Sequence, residues 1–286
     1  MKRSLLLLIL IAQTGCGPTD IRPDHLRDRN PSQSDQEARQ LLAAACDAHG
    51  GWSRWRRHRT SQIVLTDTWD GWMGKWSMPW PENGQQMRME FLRDSFYGRT
   101  TMVGGPADGE TWGVQSWKAY AVGSEGDVDF RDHDTTLFYV PTYQYFFEFP
   151  FRIANAGIAQ SAGTRTLERK HFDLVYATWG NVRPQSDVDQ YVVWISRTSG
   201  LIEKVQFTVR DKLRWATGTM HFRDFRDVAG LQIPFDMTVT IDPDDTSYLH
   251  RMVFESVAFD SVAPSAFLVD PSLPFTGNAK VVDFDY

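Results

Sequence analysis

From residue 60 onward, the sequence alternates between apolar and polar residues with a period of two. Met87, Met89 and Phe91, for example, alternate with polar neighbours, as expected of a strand that buries one face. Turn-forming residues separate such segments, as at 107–110 and 242–245. About eleven strands follow one another without long crossovers, which predicts a meandering antiparallel sheet. The predicted strands cover 63–69, 86–91, 96–103, 111–115, 118–122, 172–178, 190–197, 201–210, 216–222, 232–241 and 248–259.

Helices are predicted in two places, so the fold class is mainly β with α. Residues 34–37 have the form of a capping box, and apolar residues follow at helical spacing as far as Gly50. The interval 127–162 breaks the strand rhythm, and its apolar density predicts a helix plus loop. No linker or internal repeat divides the chain. We therefore expect a single domain over 34–286, preceded by a flexible tether over 16–33.

Residues 1–15 have the composition of a secretory signal peptide. Two basic residues precede an apolar run that is too short to span a bilayer. Cys16 follows a Thr-Gly pair, which resembles the lipobox of bacterial lipoproteins, although Gln13 stands where an aliphatic residue is usual. The resemblance implies that Cys16 is acylated, and Gly17 in place of aspartate implies the outer membrane. An ordinary cleaved signal with an incidental cysteine is the alternative.

Composition narrows the partners of this chain. Cys16 and Cys46 are its only cysteines, so a lipidated Cys16 leaves the core without an internal disulfide. The net charge of -6 and the pI of about 5.6 provide no basic field, and we exclude nucleic acid as a partner. Aromatic residues make up 13% of the chain, which favours a strand-rich core and is compatible with an apolar pocket.

The sequence carries no motif of a known catalytic or metal site. Its seven histidines are dispersed, and no His-Glu-x-x-His, Gly-x-Ser-x-Gly, Walker or dinucleotide-binding pattern is present. The carboxylates at 127–134 fit a solvated loop better than a calcium loop, because glycine is missing from the sixth position. We therefore predict no enzyme, no metal site and no cofactor.

The segment 69–80 combines four tryptophans and two methionines with glycine and proline. Neither a regular helix nor a full strand accounts for this composition. The segment is either a hairpin corner packed under the sheet or a rim or lid over a ligand cavity. In the second interpretation, aromatic and methionine-rich strand faces line the cavity. The candidate ligand-binding residues are Trp69, Trp72, Met73, Trp76, Met87, Met89, Phe91 and Trp112.

Several short segments resemble the LolA, LolB and LppX group of proteins. They are residues 49–55, 108–112, 199–205 and 225–234, and 149–151 resembles a segment of outer-membrane lipoproteins with that fold. The resemblance spans about residues 34–259. It implies a strongly curved antiparallel half-barrel whose concave side is closed by helices and holds an acyl chain or other apolar ligand. It carries over no individual contact residue.

These features predict a periplasm-facing lipoprotein, anchored through Cys16, that binds a lipid, acyl chain or similar apolar molecule. A role in lipid or lipoprotein trafficking, with an envelope protein as partner, is compatible with this prediction. The first alternative is a structural or interaction lipoprotein. A solid core would favour this alternative, whereas an empty cavity would favour ligand binding. The second is a hydrolase with a carboxylate site, which predicts titratable groups with shifted pKa values converging inside the concavity.

Overall fold

The computed structural model describes residues 17–29, 34–123, 126–131, 135–210 and 214–277. The strands in these ranges form one curved antiparallel sheet that does not close. They are β1 Thr60–Trp69, β2 Gln85–Leu92, β3 Gly98–Val103, β4 Thr111–Gln115, β5 Lys118–Val122, β6 Val128–Arg131, β7 Ile158–Leu167, β8 Lys170–Thr178, β9 Tyr191–Ser196, β10 Ile202–Thr208, β11 Thr217–Val228, β12 Leu231–Thr240 and β13 His250–Phe259. The helices are α1 Asp24–Arg29, α2 Gln36–Ala48, α3 Trp52–Trp55, α4 Gly71–Ser77, α5 Thr136–Phe147 and α6 Phe149–Ile153, and a 3-10 helix covers Pro264–Phe267.

The strand order places one pair of consecutive strands, β6 and β7, at opposite edges of the sheet. The order is β6-β5-β4-β3-β2-β1-β13-β12-β11-β10-β9-β8-β7, so the first and last strands pair in the interior. Strands β6 and β7 form the two edges, although they follow each other in sequence. The chain between them must therefore cross the width of the sheet. This crossing contains α5 and α6, and α5 packs against β3, β4 and β5.

The sheet has thirteen strands among the described residues, against about eleven predicted. Of the two additional strands, β6 lies within the interval 127–162, which the sequence predicts as helix plus loop, and β7 begins in that interval and ends at Leu167. Strand β6 has only four residues, all exposed, and its alternation covers just two apolar positions, Val128 and Phe130. Strand β7 is rich in small and polar residues, and its pairing with β8 shifts register between Ser161 and Gly163. Neither strand therefore sustains the apolar period over enough residues to predict it.

The main core lies between one face of the sheet and the helices. Helix α5 is apolar on all sides, as expected of a helix buried among other elements. Its aromatic rings meet those of α3 and α6, and Trp55 stacks on Phe151 with ring centroids 4.5 Å apart. Buried side chains from the strands complete this inner-face core, among them Ile63, Leu65, Met87, Met89, Phe91, Val193, Val205, Met237 and Phe254.

Helix α2 confirms the predicted N-terminal helix. Asp35 caps it by accepting a hydrogen bond from the Glu37 backbone N–H at 2.9 Å. The helix ends before Gly50, which has a φ of +111°. A Cβ atom at this position would lie 2.5 Å from the Gly230 carbonyl oxygen, so only glycine lets the helix end approach the β11–β12 turn.

The two ends of the described chain pack on the outer face of the sheet. Residues 17–29, within the expected tether, lie against β7, β8 and β9, where Leu26 is buried beside Tyr176 and Trp194. The C-terminal segment covers the outer face near β2 and β3, where Phe267 is buried beside Tyr97. Packed structure therefore begins well before residue 34. Cys16 and the signal segment 1–15 lie outside the described residues.

Candidate functional site

The tryptophan-rich segment 69–80 contains a short helix, α4, that the sequence analysis does not predict. Helix α4 runs from Gly71 to Ser77 and connects β1 to β2. Trp72 and Trp76 are four residues apart and so share one face of the helix. Their side chains are 70% and 83% exposed, respectively, and Met73 beside them is also exposed. Three of the eight candidate residues thus lie together on the surface.

The other two tryptophans of the segment are buried and flank α4. Trp69 precedes the helix and Trp80 follows it, and both belong to the inner-face core. The packed-corner interpretation holds for Trp69 and Trp80, and the lid interpretation of Trp72 and Trp76 stays a prediction. Trp69 and Trp80 pack under the sheet end, whereas Trp72 and Trp76 project from it.

A buried carboxylate holds both ends of the α4 segment. Asp67 Oδ2 accepts hydrogen bonds from Trp69 Nε1 at 2.7 Å and from Trp80 Nε1 at 2.6 Å. The Tyr143 hydroxyl from α5 donates to the same oxygen. On the other carboxylate oxygen, Oδ1, His250 Nδ1 lies at 3.3 Å. Hydrogen bonds to a charged acceptor are among the stronger ones in proteins, so Asp67 fixes where the exposed helix begins and ends.

Sequence reasoning missed Asp67, although a signal for it is present. In β1, the inward positions are Ile63, Leu65, Asp67 and Trp69, so one acidic residue stands in an otherwise apolar series. A buried carboxylate must be paired or hydrogen-bonded. That requirement predicts donors nearby, but their identity depends on contacts with Tyr143 and His250, which are distant in sequence.

The electrostatics of the cluster keep its hydroxyl groups protonated. Burial, together with the Asp67 carboxylate, raises the pKa of Tyr143 well above its usual value and that of Tyr139 to about 12. Both phenols therefore remain hydrogen-bond donors at any physiological pH. The hydrolase alternative predicts such converging groups, but Asp67 and its three donors are buried and present no open surface to a substrate.

Further contacts fix α4 to its neighbours. The Tyr139 hydroxyl donates to the Ser77 carbonyl oxygen at 2.6 Å, which ties the end of α4 to α5. The Asp70 N–H donates to the Leu249 carbonyl oxygen at 2.9 Å. At Gly74, a Cβ atom would lie 2.4 Å from that same oxygen, so the helix backbone lies directly on the β12–β13 turn. The exposed tryptophans are thus displayed by a fixed support.

The remaining candidate residues do not line an open pocket. Met87, Met89 and Phe91 are buried with at most 1% of their surface accessible, and Trp69 is nearly as enclosed. Trp112 is half-buried and stacks on Trp80. A side chain without accessible surface has no water-sized space beside it. The eight candidates therefore separate into a surface group on α4 and a packed group in the core.

A cavity of about 400 Å³ lies elsewhere, on the outer face of the sheet. Lys204 and His221 face each other across β10 and β11 in this cavity, and Arg223 and Asp244 contribute further charges. Its polar lining does not suit an apolar ligand. Among the described residues, no group of three or more His, Cys, Asp or Glu could hold a metal ion. No helix in the same ranges is long and apolar enough to span a membrane.

Cys46 is a packing residue. It is buried on α2, and burial raises the pKa of its thiol to about 11. The thiolate that would act as a nucleophile is therefore scarce at neutral pH.

Comparison with known proteins identifies the fold. No protein-family model and no curated protein matches the chain. A domain assigned as an outer-membrane lipoprotein-sorting protein, from Vibrio parahaemolyticus, matches with 12% identity and a TM-score of 0.51, over 81% of this chain and 96% of that one. A DUF1329 family protein from Desulfovibrio piger matches with 8% identity and a TM-score of 0.51, over 85% and 100%. A LolA superfamily protein from Nitrosomonas europaea has 8% identity and a TM-score of 0.47, over 80% and 96%. The two matches with a TM-score of 0.51 confirm, at the level of the fold, the predicted resemblance to LolA-like proteins.

Proposed function

We propose that this protein is a membrane-anchored lipoprotein of the cell envelope that binds a lipid or acyl chain at the end of the sheet covered by α4. In this proposal Cys16 carries the anchor, and the outer membrane is the location. Trp72, Met73 and Trp76 make the first contact with the apolar ligand. The ligand then enters the inner face of a half-barrel, and the role is one of lipid or lipoprotein trafficking.

The exposed tryptophan pair on a fixed support is the observation that carries this proposal. Large apolar side chains at the surface are usually scattered singly, and contiguous ones mark binding surfaces. Here the hydrogen bonds of the buried Asp67 to Trp69 and Trp80 fix both ends of α4. The helix therefore presents Trp72 and Trp76 to solvent. The fold of lipoprotein-sorting proteins supports the same proposal.

Uptake into the inner face requires a movement, because α5 and α6 fill that face. These helices form the crossing between the two sheet edges and pair with no strand, so they can shift without breaking the sheet. They are held by the buried Glu148, which pairs with Arg152 at 2.6 Å and accepts a hydrogen bond from Gln144 at 3.0 Å. In this proposal, a displacement of α5 and α6 opens the inner face to the ligand.

A second candidate is an interaction lipoprotein with a permanently packed core. The observation that favours it is the complete burial of Met87, Met89 and Phe91, where the carrier interpretation expects a cavity. In this case the α4 face would contact an envelope protein, and the core would take up no lipid.

Lipid uptake and stability measured on the same variants distinguish these candidates. The mature chain with Cys16→Ala is titrated with a fluorescent long-chain fatty acid and unfolded with denaturant. We expect the double variant Trp72→Ala/Trp76→Ala to lose uptake about tenfold while its unfolding free energy changes by less than about 1 kcal/mol. Phe275→Ala, which removes an exposed ring near Tyr97, is the control and should leave uptake unchanged.

Two results would contradict the proposal. Absence of uptake by the parent across a panel of lipids would leave only the interaction lipoprotein. Uptake that survives the double variant would separate α4 from the ligand site. The anchor is tested independently by metabolic labelling with a fatty acid, in which Cys16→Ala should abolish the label carried by the parent.

A further inference from the structure

We propose that the sheet end carrying α4 and residues 214–216 faces the bilayer, with Trp72, Trp76 and Trp215 in its interface. This orientation extends the proposed function and depends on the anchor at Cys16 that the proposed function includes. The surface differs from a ligand site because its occupant is the membrane itself. Three features of the molecule support this orientation: the exposed residues that share this end, the point where the anchored segment joins it, and the charges around it.

Strand register places the exposed tryptophans at one end of the sheet. Trp69 pairs with His250, Val239 pairs with His250, and Thr219 pairs with Thr240. The next pair in this direction joins β10 to β11 through Thr208 and Thr217. Helix α4, Ile241 directly after β12 and Trp215 directly before β11 therefore lie at the same end. With strands spaced about 4.8 Å apart, β1 and β11 lie roughly 15 Å from each other.

The exposed apolar residues of these three connections form one rim. Trp215 before β11 is 70% exposed, and Ile241 after β12 is 45% exposed. Together with Trp72 and Trp76 on α4, they give each connection at least one large apolar side chain in solvent. Indole rings prefer the headgroup region of a bilayer, where the apolar ring is buried and the N–H stays hydrated.

The N-terminal segment joins the fold at this same rim. The Thr19 N–H donates to the Arg214 carbonyl oxygen at 3.0 Å, next to Trp215. The Arg210 guanidinium donates to both Thr19 O and Arg214 O, so three hydrogen bonds fix this junction. Three peptide units separate Thr19 from Cys16, and they can span at most about 11 Å. An acyl chain on Cys16 therefore brings the membrane surface to the Trp215 end.

Charges around the rim favour an uncharged surface over a strongly charged partner. Exposed groups of both signs lie here: Asp70 and Lys75 beside α4, and Asp242 and Arg214 in the turns. Because the rim has no excess of basic side chains, anionic lipid should not be needed for contact. The short link from Thr19 to the anchor favours the bilayer over an envelope protein.

The test uses the full lipidated protein in phosphatidylcholine vesicles that contain brominated lipid, which quenches tryptophans in the bilayer. We expect the parent to be quenched and the variant Trp72→Ala/Trp76→Ala/Trp215→Ala to lose at least half of that quenching. Trp117→Ala is the matched control, because Trp117 lies in the β4–β5 turn at the opposite end of the sheet. It should retain the quenching of the parent. Addition of phosphatidylglycerol should not increase quenching.

Equal quenching in the parent and the triple variant would overturn the proposed orientation, as would an unquenched parent. If the parent still carries the fatty-acid label of Cys16 in that case, the anchor and the proposed function stand without the membrane-facing rim. If the label is absent, the proposed function fails as well. If the three tryptophans were shielded from solvent only after an envelope protein is added, and not by the vesicles alone, the bilayer would be ruled out as the occupant of this surface.

Discussion

At the scale of single residues, Asp67 determines how the tryptophan-rich segment is divided between core and surface. Its carboxylate gathers two indole N–H groups and one phenol hydroxyl at the end of β1. The inward alternation of β1 predicts that position 67 is buried, since Leu65 and Trp69 flank it in register. The identity of its donors was not predictable, because Trp80 and Tyr143 reach it only through the tertiary fold.

Replacement of Asp67 by alanine should strongly destabilise the protein. The variant leaves three buried donors without an acceptor, and we expect a loss of about 3 kcal/mol or more in unfolding free energy. Asp70→Ala is a matched control, because Asp70 is exposed and its side chain makes no capping hydrogen bond. The control should stay within about 0.5 kcal/mol of the parent. Equal effects of both substitutions in denaturant unfolding would refute this role of Asp67.

Two buried histidines should make the protein less stable in mild acid. His49 Nδ1 donates to the Gln232 carbonyl oxygen at 3.0 Å, and its Nε2 accepts from the Ile202 N–H at 3.0 Å, which fixes a neutral ring. Burial lowers the pKa of both His49 and His221 from 6.5 to about 4. Between these pH values, the unfolded chain binds protons that the folded protein excludes.

Their contribution to stability is therefore complete above pH 6.5 and is lost as the pH falls toward 4. Each histidine should contribute a slope of up to about 1.4 kcal/mol per pH unit in this window. Unfolding free energies measured between pH 7.5 and 4 in buffers of about equal ionic strength test this expectation. His221→Asn should have a shallower slope than the parent, and an unchanged slope would count against it.

At the scale of secondary structure elements, the sequence predicts those that depend on local pattern. The capped helix α2 and the alternating strands such as β1 and β2 were predicted within a few residues. The edge strands β6 and β7 were not, because β6 is exposed throughout and β7 is interrupted by a register shift. Helix α4 was missed because glycine-rich sequences are poor helix formers in isolation. Tertiary contacts at both of its ends compensate for that.

Gly74, in the middle of α4, gives a prediction in which those contacts decide whether a substitution by alanine stabilises or destabilises the protein. In an exposed helix, Gly→Ala usually adds about 1 kcal/mol of stability. At Gly74 the new Cβ would lie 2.4 Å from the Leu249 carbonyl oxygen, so we expect a loss of about 1–3 kcal/mol instead. Gly157→Ala is the control, since its nearest contact would be an ordinary 3.6 Å. A stabilised Gly74→Ala protein would show that α4 does not rest on the turn.

At the scale of the whole molecule, the chain covers both faces of its sheet with different parts of the sequence. The crossing helices fill the inner face, and the two terminal segments cover parts of the outer face. The N-terminal segment therefore has two roles, as cover for β7–β9 and as the link toward Cys16. Its polar composition predicts a tether, and only the contacts of Leu26 and Ile21 with the sheet reveal the packing.

Removal of residues 17–33 from the mature chain should therefore reduce stability. The truncation uncovers the outer-face cluster around Tyr176 and Trp194, and Leu26→Ala in the full chain should itself cost about 2–4 kcal/mol. Asp28→Ala, an exposed position on the same helix, should have no measurable effect. Denaturant unfolding of the parent, the truncated chain and the two variants checks this. A truncated chain as stable as the parent would show that the segment is only a tether.

Photo-crosslinking with a long-chain fatty acid that carries a diazirine tests the lipid-contact role of the α4 face most directly. The purified protein is irradiated with the bound analogue, and the labelled peptides are mapped by mass spectrometry. The carrier proposal predicts label in α4, within residues 71–77, and on α5 near Tyr139, with competition by unmodified fatty acid. Label that is absent from both helices, or that lies in the outer-face cavity around Lys204 and His221, would contradict it.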